Sequence, residues 1–273
     1  MKTTIETYIV DSFTNESFKG NPAGVCILEE VLSEDQMQLI AKELGLSETA
    51  FVKKIDEELD TYSIRFFSPK MEIPLCGHAT LASSKVILEK NPKLKFLQFL
   101  NINELILKIE KNESSIKMNF PVYNTEPQNV PKELLNALGI ETINNSVFNK
   151  ETNILLLEIE DSTVLKELTP NFERLKASHN NIDGVLVTAL SNQDDFDFES
   201  RYFWPWSGTN EDPVTGATHT FLTKYWGKKL HKKTMRSFQC SERTGFMTVA
   251  LLNENNMTIE SEAQIVFKGE LMV

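Results

Sequence analysis

Glu48 sits in Leu46-Ser47-Glu48-Thr49-Ala50-Phe51-Val52. Read as a strand, this run alternates so that the carboxylate shares a face with Leu46, Ala50 and Val52. A carboxyl group among apolar neighbours is desolvated, which raises its pKa towards neutrality and suits it to take up and return a proton. A strand-end glutamate in open water would have no such property, and alternation alone leaves both readings standing. Two other stretches carry chemistry: Cys76-Gly77-His78-Ala79-Thr80, and Asp212-Pro213-Val214-Thr215-Gly216-Ala217. Each leads into an apolar segment. A helix start leaves backbone N–H groups unpaired and carries about half a positive charge, so it can hold an anion without any lysine. Gly77 and Gly216 would let a carboxylate approach that backbone, near His78 and Ala217 as well. Either glycine is also explained by the loop-to-helix turn alone, but their equivalent placement favours a site.

The remaining candidates divide in the same way. His78 could donate to or accept from a ligand, or could cap and pack. Asp212 reads as a turn former, or as an acceptor that orients His78 or the substrate. His219 reads as structural. Cys76, at a helix start, is expected to have a lowered thiol pKa. A two-base racemase would need a second cysteine at the equivalent point, where this chain has Thr215. Cys76, His78, His219 and Cys240 show no recognised zinc spacing, so no metal is expected. Signatures for dinucleotides, nucleotide phosphates and serine hydrolysis are missing from the sequence.

These residues need elements to hold them. Strands are expected at Thr4–Val10, Ala23–Leu28, Leu46–Val52 and Thr61–Phe67. Ser33 with Gln36 is a capping box for a helix that presents Met37, Ile40, Ala41 and Leu44 on one face and stops at Gly45. A second helix from Gly77 to about Glu89 is apolar on most sides, and such a helix is buried. A hairpin over Glu104–Ile109 and Ser115–Phe120 follows, then a proline-bearing connection from Pro121 to Pro131. Pro131 and Gly139 frame a short helix, and strands are expected near Ile154–Ile159 and Gly184–Ala189. The order then repeats. Arg65-Phe66-Phe67-Ser68-Pro69 leads through a loop to Cys76-Gly77, a buried helix and a hairpin. Arg201-Tyr202-Phe203-Trp204-Pro205 leads to Thr215-Gly216, a helix carrying Phe221, Leu222, Tyr225 and Trp226 that stops at Gly227, and a hairpin over Phe246–Leu252 and Met257–Glu262. Two related halves, 1–120 and 130–263, are the simplest account.

The chain has 273 residues, enough for about two domains. Its 28 basic and 39 acidic side chains leave a net charge of -11, which repels nucleic acid and anionic membranes. Hydrophobic residues make up 41%, enough for a sizeable core, yet no apolar run is long enough to span a bilayer. Glu6 and Asp11 interrupt the first apolar segment, unlike a secretory signal. Three cysteines cannot all pair within one chain, and a cytoplasmic location is expected.

Five ordered motifs together resemble the phenazine-biosynthesis PhzF-like family, relatives of diaminopimelate epimerase and proline racemase. They are Val10-Asp11-Ser12-Phe13, Gly20-Asn21-Pro22-Ala23-Gly24-Val25, Ser47-Glu48-Thr49-Ala50-Phe51, Cys76-Gly77-His78-Ala79-Thr80 and Asp212-Pro213-Val214-Thr215-Gly216. The resemblance implies an α+β fold of two similar domains, each a curled, mostly antiparallel sheet around a central helix, with the active site between them. It also implies that the last strand, about 264–273, returns to the first domain. By the same resemblance Glu48 is the acidic proton-transfer residue, His78 and Asp212 line the pocket, and Gly77 and Gly216 mark the helix starts that receive a carboxylate. Asn21 is a loop residue near the pocket. The implied activity is an isomerisation that moves a proton on a small carboxylate-bearing substrate without cofactor or metal, and a homodimer fits the family. Where the family often reads Thr-Gly-Ser-Ala-His, this chain reads Thr215-Gly216-Ala217-Thr218-His219, one hydroxyl fewer for a ligand. A catalytically silent ligand-binding protein of the same fold and a cysteine-dependent racemase are the alternatives.

Overall fold

The computed structural model describes residues 4–207 and 209–273. The chain divides into two units, one built from residues up to Asn119 with Glu260–Val273, the other from Phe120–Ile259. The first unit runs β1 (Thr4–Ser12), β2 (Asn21–Ile27), α1 (Glu34–Leu44), β3 (Thr49–Asp56), β4 (Thr61–Phe67), β5 (Glu72–Ile73), α2 (Gly77–Lys90), β6 (Phe96–Leu100), β7 (Ile106–Asn112) and β8 (Ser115–Pro121). β1 pairs antiparallel with β2 on one side and with the C-terminal strand Ala263–Met272 on the other. β2 runs parallel to β3, β3 antiparallel to β4, β4 parallel to β6, and β6 antiparallel to β7.

The sheet curls round α2, which packs against β1, β2, β3 and the C-terminal strand. Ten residues of this helix are buried, from His78 to Ser84 and from Val86 to Leu88. The hydroxyls among them need partners away from water, and each finds one inside the helix. Thr80, Ser83 and Ser84 donate to the carbonyls of Cys76, Ala79 and Thr80, all at 2.7 Å. α1 is the opposite kind of helix. Its capping box of Ser33 and Gln36 and its left-handed Gly45 stop form as expected, and it buries only Met37, Ile40 and Ala41, over a cluster that includes Ile5, Phe51 and Phe67.

The second unit repeats this order. It contains β9 (Glu126–Pro127), α3 (Lys132–Leu138), β10 (Asn145–Asn149), β11 (Ile154–Glu158), α4 (Ser162–Glu167), α5 (Phe172–Ser178), β12 (Gly184–Leu190), β13 (Phe198–Trp204), β14 (Thr209–Asp212), α6 (His219–Leu230), β15 (Thr234–Gln239), β16 (Gly245–Leu251) and β17 (Asn256–Ser261). β10 is antiparallel to β11, β11 parallel to β12, β12 antiparallel to β13, β13 parallel to β15, and β15 antiparallel to β16. Strand for strand, this is the sequence of pairings in the first unit. The echoed arginines do the same work in each. Arg65 forks onto Glu72 at 2.6 and 2.7 Å and lies over the Phe67 ring, and Arg201 forks onto Glu211 at 2.7 and 2.8 Å over Phe203.

Three expectations are corrected. The strand expected from Leu46 begins at Thr49, so Glu48 lies just before it and alternation within a strand does not govern its side chain. The second central helix begins at His219 rather than at Gly216, after a tight turn in which His219 N–H bonds to the Gly216 carbonyl at 3.1 Å. It also runs through Gly227 to Leu230, and His231, in the left-handed conformation at φ 55°, ends it.

Candidate active site

The glycines of Gly20-Asn21-Pro22-Ala23-Gly24 place Glu48. A side chain on Gly20, at φ +66°, would meet the Ser12 carbonyl at 2.1 Å, so the chain can turn between β1 and β2 there only with glycine. A Cβ on Gly24 would meet Thr49 Oγ1 at 2.8 Å, so β2 approaches the start of β3 at the one residue without a side chain. Gly24 N–H then donates to the Glu48 carbonyl at 3.0 Å. The glutamate is thereby fixed at the mouth of β3, with a backbone partner on β2.

The start of α2 supplies its neighbours. Ser12 Oγ on β1 donates to the His78 carbonyl at 2.7 Å, pinning the first turn of the helix. His78 Nε2 lies 3.0 Å from Glu48 Oε2 and 3.4 Å from Ser47 Oγ. His78 Nδ1 lies 3.4 Å from Cys76 Sγ and 3.5 Å from the Asn21 amide nitrogen. Glu48 and His78 are each 9% exposed and Cys76 7%. The structure therefore gathers Asn21, Glu48, Cys76, Gly77 and His78, which the sequence scatters over three stretches of chain, and adds Ser12 and Ser47 as positioning residues. Both serines lie in the motifs quoted above, but neither type nor spacing marks them as functional.

Burial pushes the Glu48 carboxyl up, but the hydrogen bond and charge of His78, with help from Ser47, outweigh it and hold the group below its ordinary value. The expectation of a raised Glu48 pKa is thus corrected. Burial opposes charge on His78, yet Cys76 and Glu48 together push the imidazole well above its ordinary value. Burial pushes the Cys76 thiol up, against the expected lowering: the helix start is there, but the sulfur is too little hydrated for a thiolate. At neutral pH Cys76 is a thiol, and Glu48 and His78 form a buried ion pair, a ready base beside a ready acid.

In the second unit the structure gathers Asp212, Gly216 and Ala217. Asp212 Oδ2 accepts from Thr215 Oγ1. One amide, that of Gln239, clamps the loop by donating to the Asp212 carbonyl at 2.7 Å and accepting from Thr215 N–H at 2.9 Å. His219 is structural as expected: its Nδ1 lies 3.0 Å from the Thr215 carbonyl and its Nε2 2.8 Å from Ser237 Oγ. A neutral ring with its proton on Nδ1 satisfies both contacts, and burial lowers the pKa of this histidine to about 4. Gln239 had no signal in the sequence, because a glutamine on a strand is chemically silent until its loop is folded against it. Register aligns Asp212 with Ile73, and Thr215-Gly216 with Cys76-Gly77, so the two units carry different chemistry on one framework.

These features define an epimerase-like α+β fold with a buried Glu48–His78 pair at a helix start. The model of the phenazine biosynthesis-like protein family matches residues 10–269, and the chain belongs to that family. An uncharacterized isomerase of Halalkalibacterium halodurans is 38% identical over 99% of each chain. The crystal structure of a PhzF-family phenazine biosynthesis protein from Enterococcus faecalis is 38% identical, superposes with a TM-score of 0.90, and covers 99% of this chain and 100% of that one. A predicted epimerase from Pseudomonas aeruginosa, at 17% identity and a TM-score of 0.73 over 98% of this chain and 99% of that one, shares the fold. Among the described residues no helix is long and apolar enough to cross a membrane.

Proposed function

We propose that the protein is an isomerase that moves a proton on a small carboxylate-bearing substrate and needs no cofactor to do so. Glu48 takes a proton from a substrate carbon and returns it at another position, so no atom is gained or lost. His78, as the imidazolium, stabilises the negative charge that builds up on the substrate between the two transfers. Backbone N–H groups near Gly77 and His78 receive the carboxylate, and Asn21 and Cys76 complete the substrate contacts. The enzyme is taken to be cytoplasmic and homodimeric, in keeping with three free cysteines and with the family resemblance.

The observation that carries this reading is the 3.0 Å contact between Glu48 and His78 in a nearly dry setting. A base must be ionised before it can act, and a carboxyl held below its ordinary value is ionised throughout the neutral range. The isomerase name borne by a 38% identical relative points the same way. Glu48→Gln keeps the size of the side chain and removes the base. With small carboxylic acids in deuterium oxide, the wild type is expected to incorporate solvent deuterium, and the variant to do so about 10²–10⁴ times more slowly. Exchange that survives the substitution nearly intact would remove Glu48 from the mechanism. Acids that bind the wild type without any exchange would make it a silent binding protein instead.

A further inference from the structure

The same corner of the first unit has a property that proton transfer does not use. A carboxylate oxygen of Glu48, the sulfur of Cys76 and a ring nitrogen of His78 all lie within 4.8 Å of one another. His78 Nε2 is common to the set, 3.0 Å from Glu48 Oε2 and 3.8 Å from Cys76 Sγ. Around a tetrahedral zinc ion, with bonds of about 2.0 Å to oxygen and nitrogen and about 2.3 Å to sulfur, neighbouring ligand atoms stand roughly 3.3–3.6 Å apart. The oxygen–nitrogen contact needs to open by only a few tenths of an ångström, while the sulfur, which lies nearer Nδ1 at 3.4 Å, has to swing round towards Nε2 by rotation about the Cys76 Cα–Cβ bond. A thiolate and an imidazole select zinc over magnesium or calcium. One carboxylate and one thiolate also cancel the two charges of the ion, so the filled site would be neutral, as a poorly hydrated setting requires.

We propose that Glu48, Cys76 and His78 bind a single zinc ion, which inhibits the protein by occupying the atoms that would otherwise handle the substrate proton. On binding, the thiol proton of Cys76 and any proton on His78 Nε2 pass to solvent, sulfur and nitrogen each form a bond to the metal, and nothing is oxidised or reduced. The inhibition rests on the function proposed above, whereas the binding rests on the geometry alone.

The test uses the full chain with cobalt(II) as a spectroscopic probe and zinc(II) in competition with a coloured chelator. One ion per chain is expected, with a sulfur-to-cobalt charge-transfer band in the near ultraviolet. The band should persist in Cys26→Ser/Cys240→Ser, where Cys76 is the sole thiol, and vanish in Cys76→Ser. Zinc affinity should fall by more than about 100-fold in Cys76→Ser and in His78→Gln, beyond the range usual for outer-shell changes. A band that survives Cys76→Ser, a band lost from the variant that keeps only Cys76, or a wild type that binds zinc no better than these variants would overturn the proposal. If Glu48→Gln leaves proton exchange intact while these binding results hold, the function proposed above fails and the zinc site stands.

Discussion

Glu48 Oε2 lies 3.0 Å from His78 Nε2, and each residue is 9% exposed. The pair couples stability to pH in two directions. His78 has a folded pKa above its ordinary 6.5, so its contribution is complete below 6.5 and is lost as pH rises through the raised value. Glu48 has a folded pKa below its ordinary 4.5, so its contribution is complete above 4.5 and is lost as pH falls through the lowered value. The pair therefore stabilises most between 4.5 and 6.5. His78→Gln, which strands a buried carboxylate, should cost about 3 kcal/mol in that window. The gap in melting temperature between wild type and variant should narrow as the buffer turns alkaline. A gap of constant size from acid to alkaline pH would mean that the two groups are not an ion pair.

Gly24→Ala tests how Glu48 is held. The added methyl meets Thr49 Oγ1 at 2.8 Å and Thr49 Cγ2 at 3.1 Å, on a β-branched side chain that cannot swing away. Overpacking of this kind costs about 1–3 kcal/mol. Because Gly24 N–H also holds the Glu48 carbonyl, proton exchange should slow more than the loss of stability explains. Denaturant titration beside the exchange assay separates the two, and a destabilised variant with full exchange would show that Gly24 matters for packing alone.

The echoed arginines should differ in weight. Arg201 forks onto Glu211 and also donates to the carbonyls of Leu165, Lys166 and Leu168, with its side chain 10% exposed. Arg201→Ala should cost about 3–5 kcal/mol, because it leaves a carboxylate and three carbonyls short of a partner. The Arg65 side chain is 27% exposed and bonds to Glu72 and Glu34, so Arg65→Ala should cost about 1–2 kcal/mol. Urea unfolding of both variants measures the difference, and equal losses would refute it.

His219 should make the protein acid-sensitive. Its pKa is about 4 in the folded chain against an ordinary 6.5, so between those values the unfolded chain binds the proton and stability falls with pH. The interval corresponds to about 3 kcal/mol. His219→Gln should flatten that part of the profile, seen as a smaller shift of the urea midpoint from pH 7 to pH 4.5. An unchanged slope would assign the acid sensitivity elsewhere.

Periodicity and punctuation made much of the fold legible. The α1 cap of Ser33 and Gln36, the buried character of α2 and the Arg65/Arg201 echo are all local or repeated patterns, and all are found in the structure. β6 was not legible, because its five residues follow a polar loop and pair with β4, far back in the chain. The site was legible in its members but not in its electrostatics. Alternation of apolar residues left both a desolvated and a water-exposed Glu48 open, and in the structure burial does push its pKa up. The direction reverses because His78, which no periodicity links to residue 48, lies one hydrogen bond away.

Residue types, glycine positions and apolar spacing in the linear chain thus determined which elements form and which side chains could do chemistry, since those properties depend on neighbours a few positions away. Only the tertiary structure decided which charged form each group holds, where Gln239 and Ser12 act, and that Glu48, Cys76 and His78 share one corner. Charge state and ligand geometry depend on distances of a few ångströms through space, and the chain sets those distances only after β2, β3 and α2 have packed together.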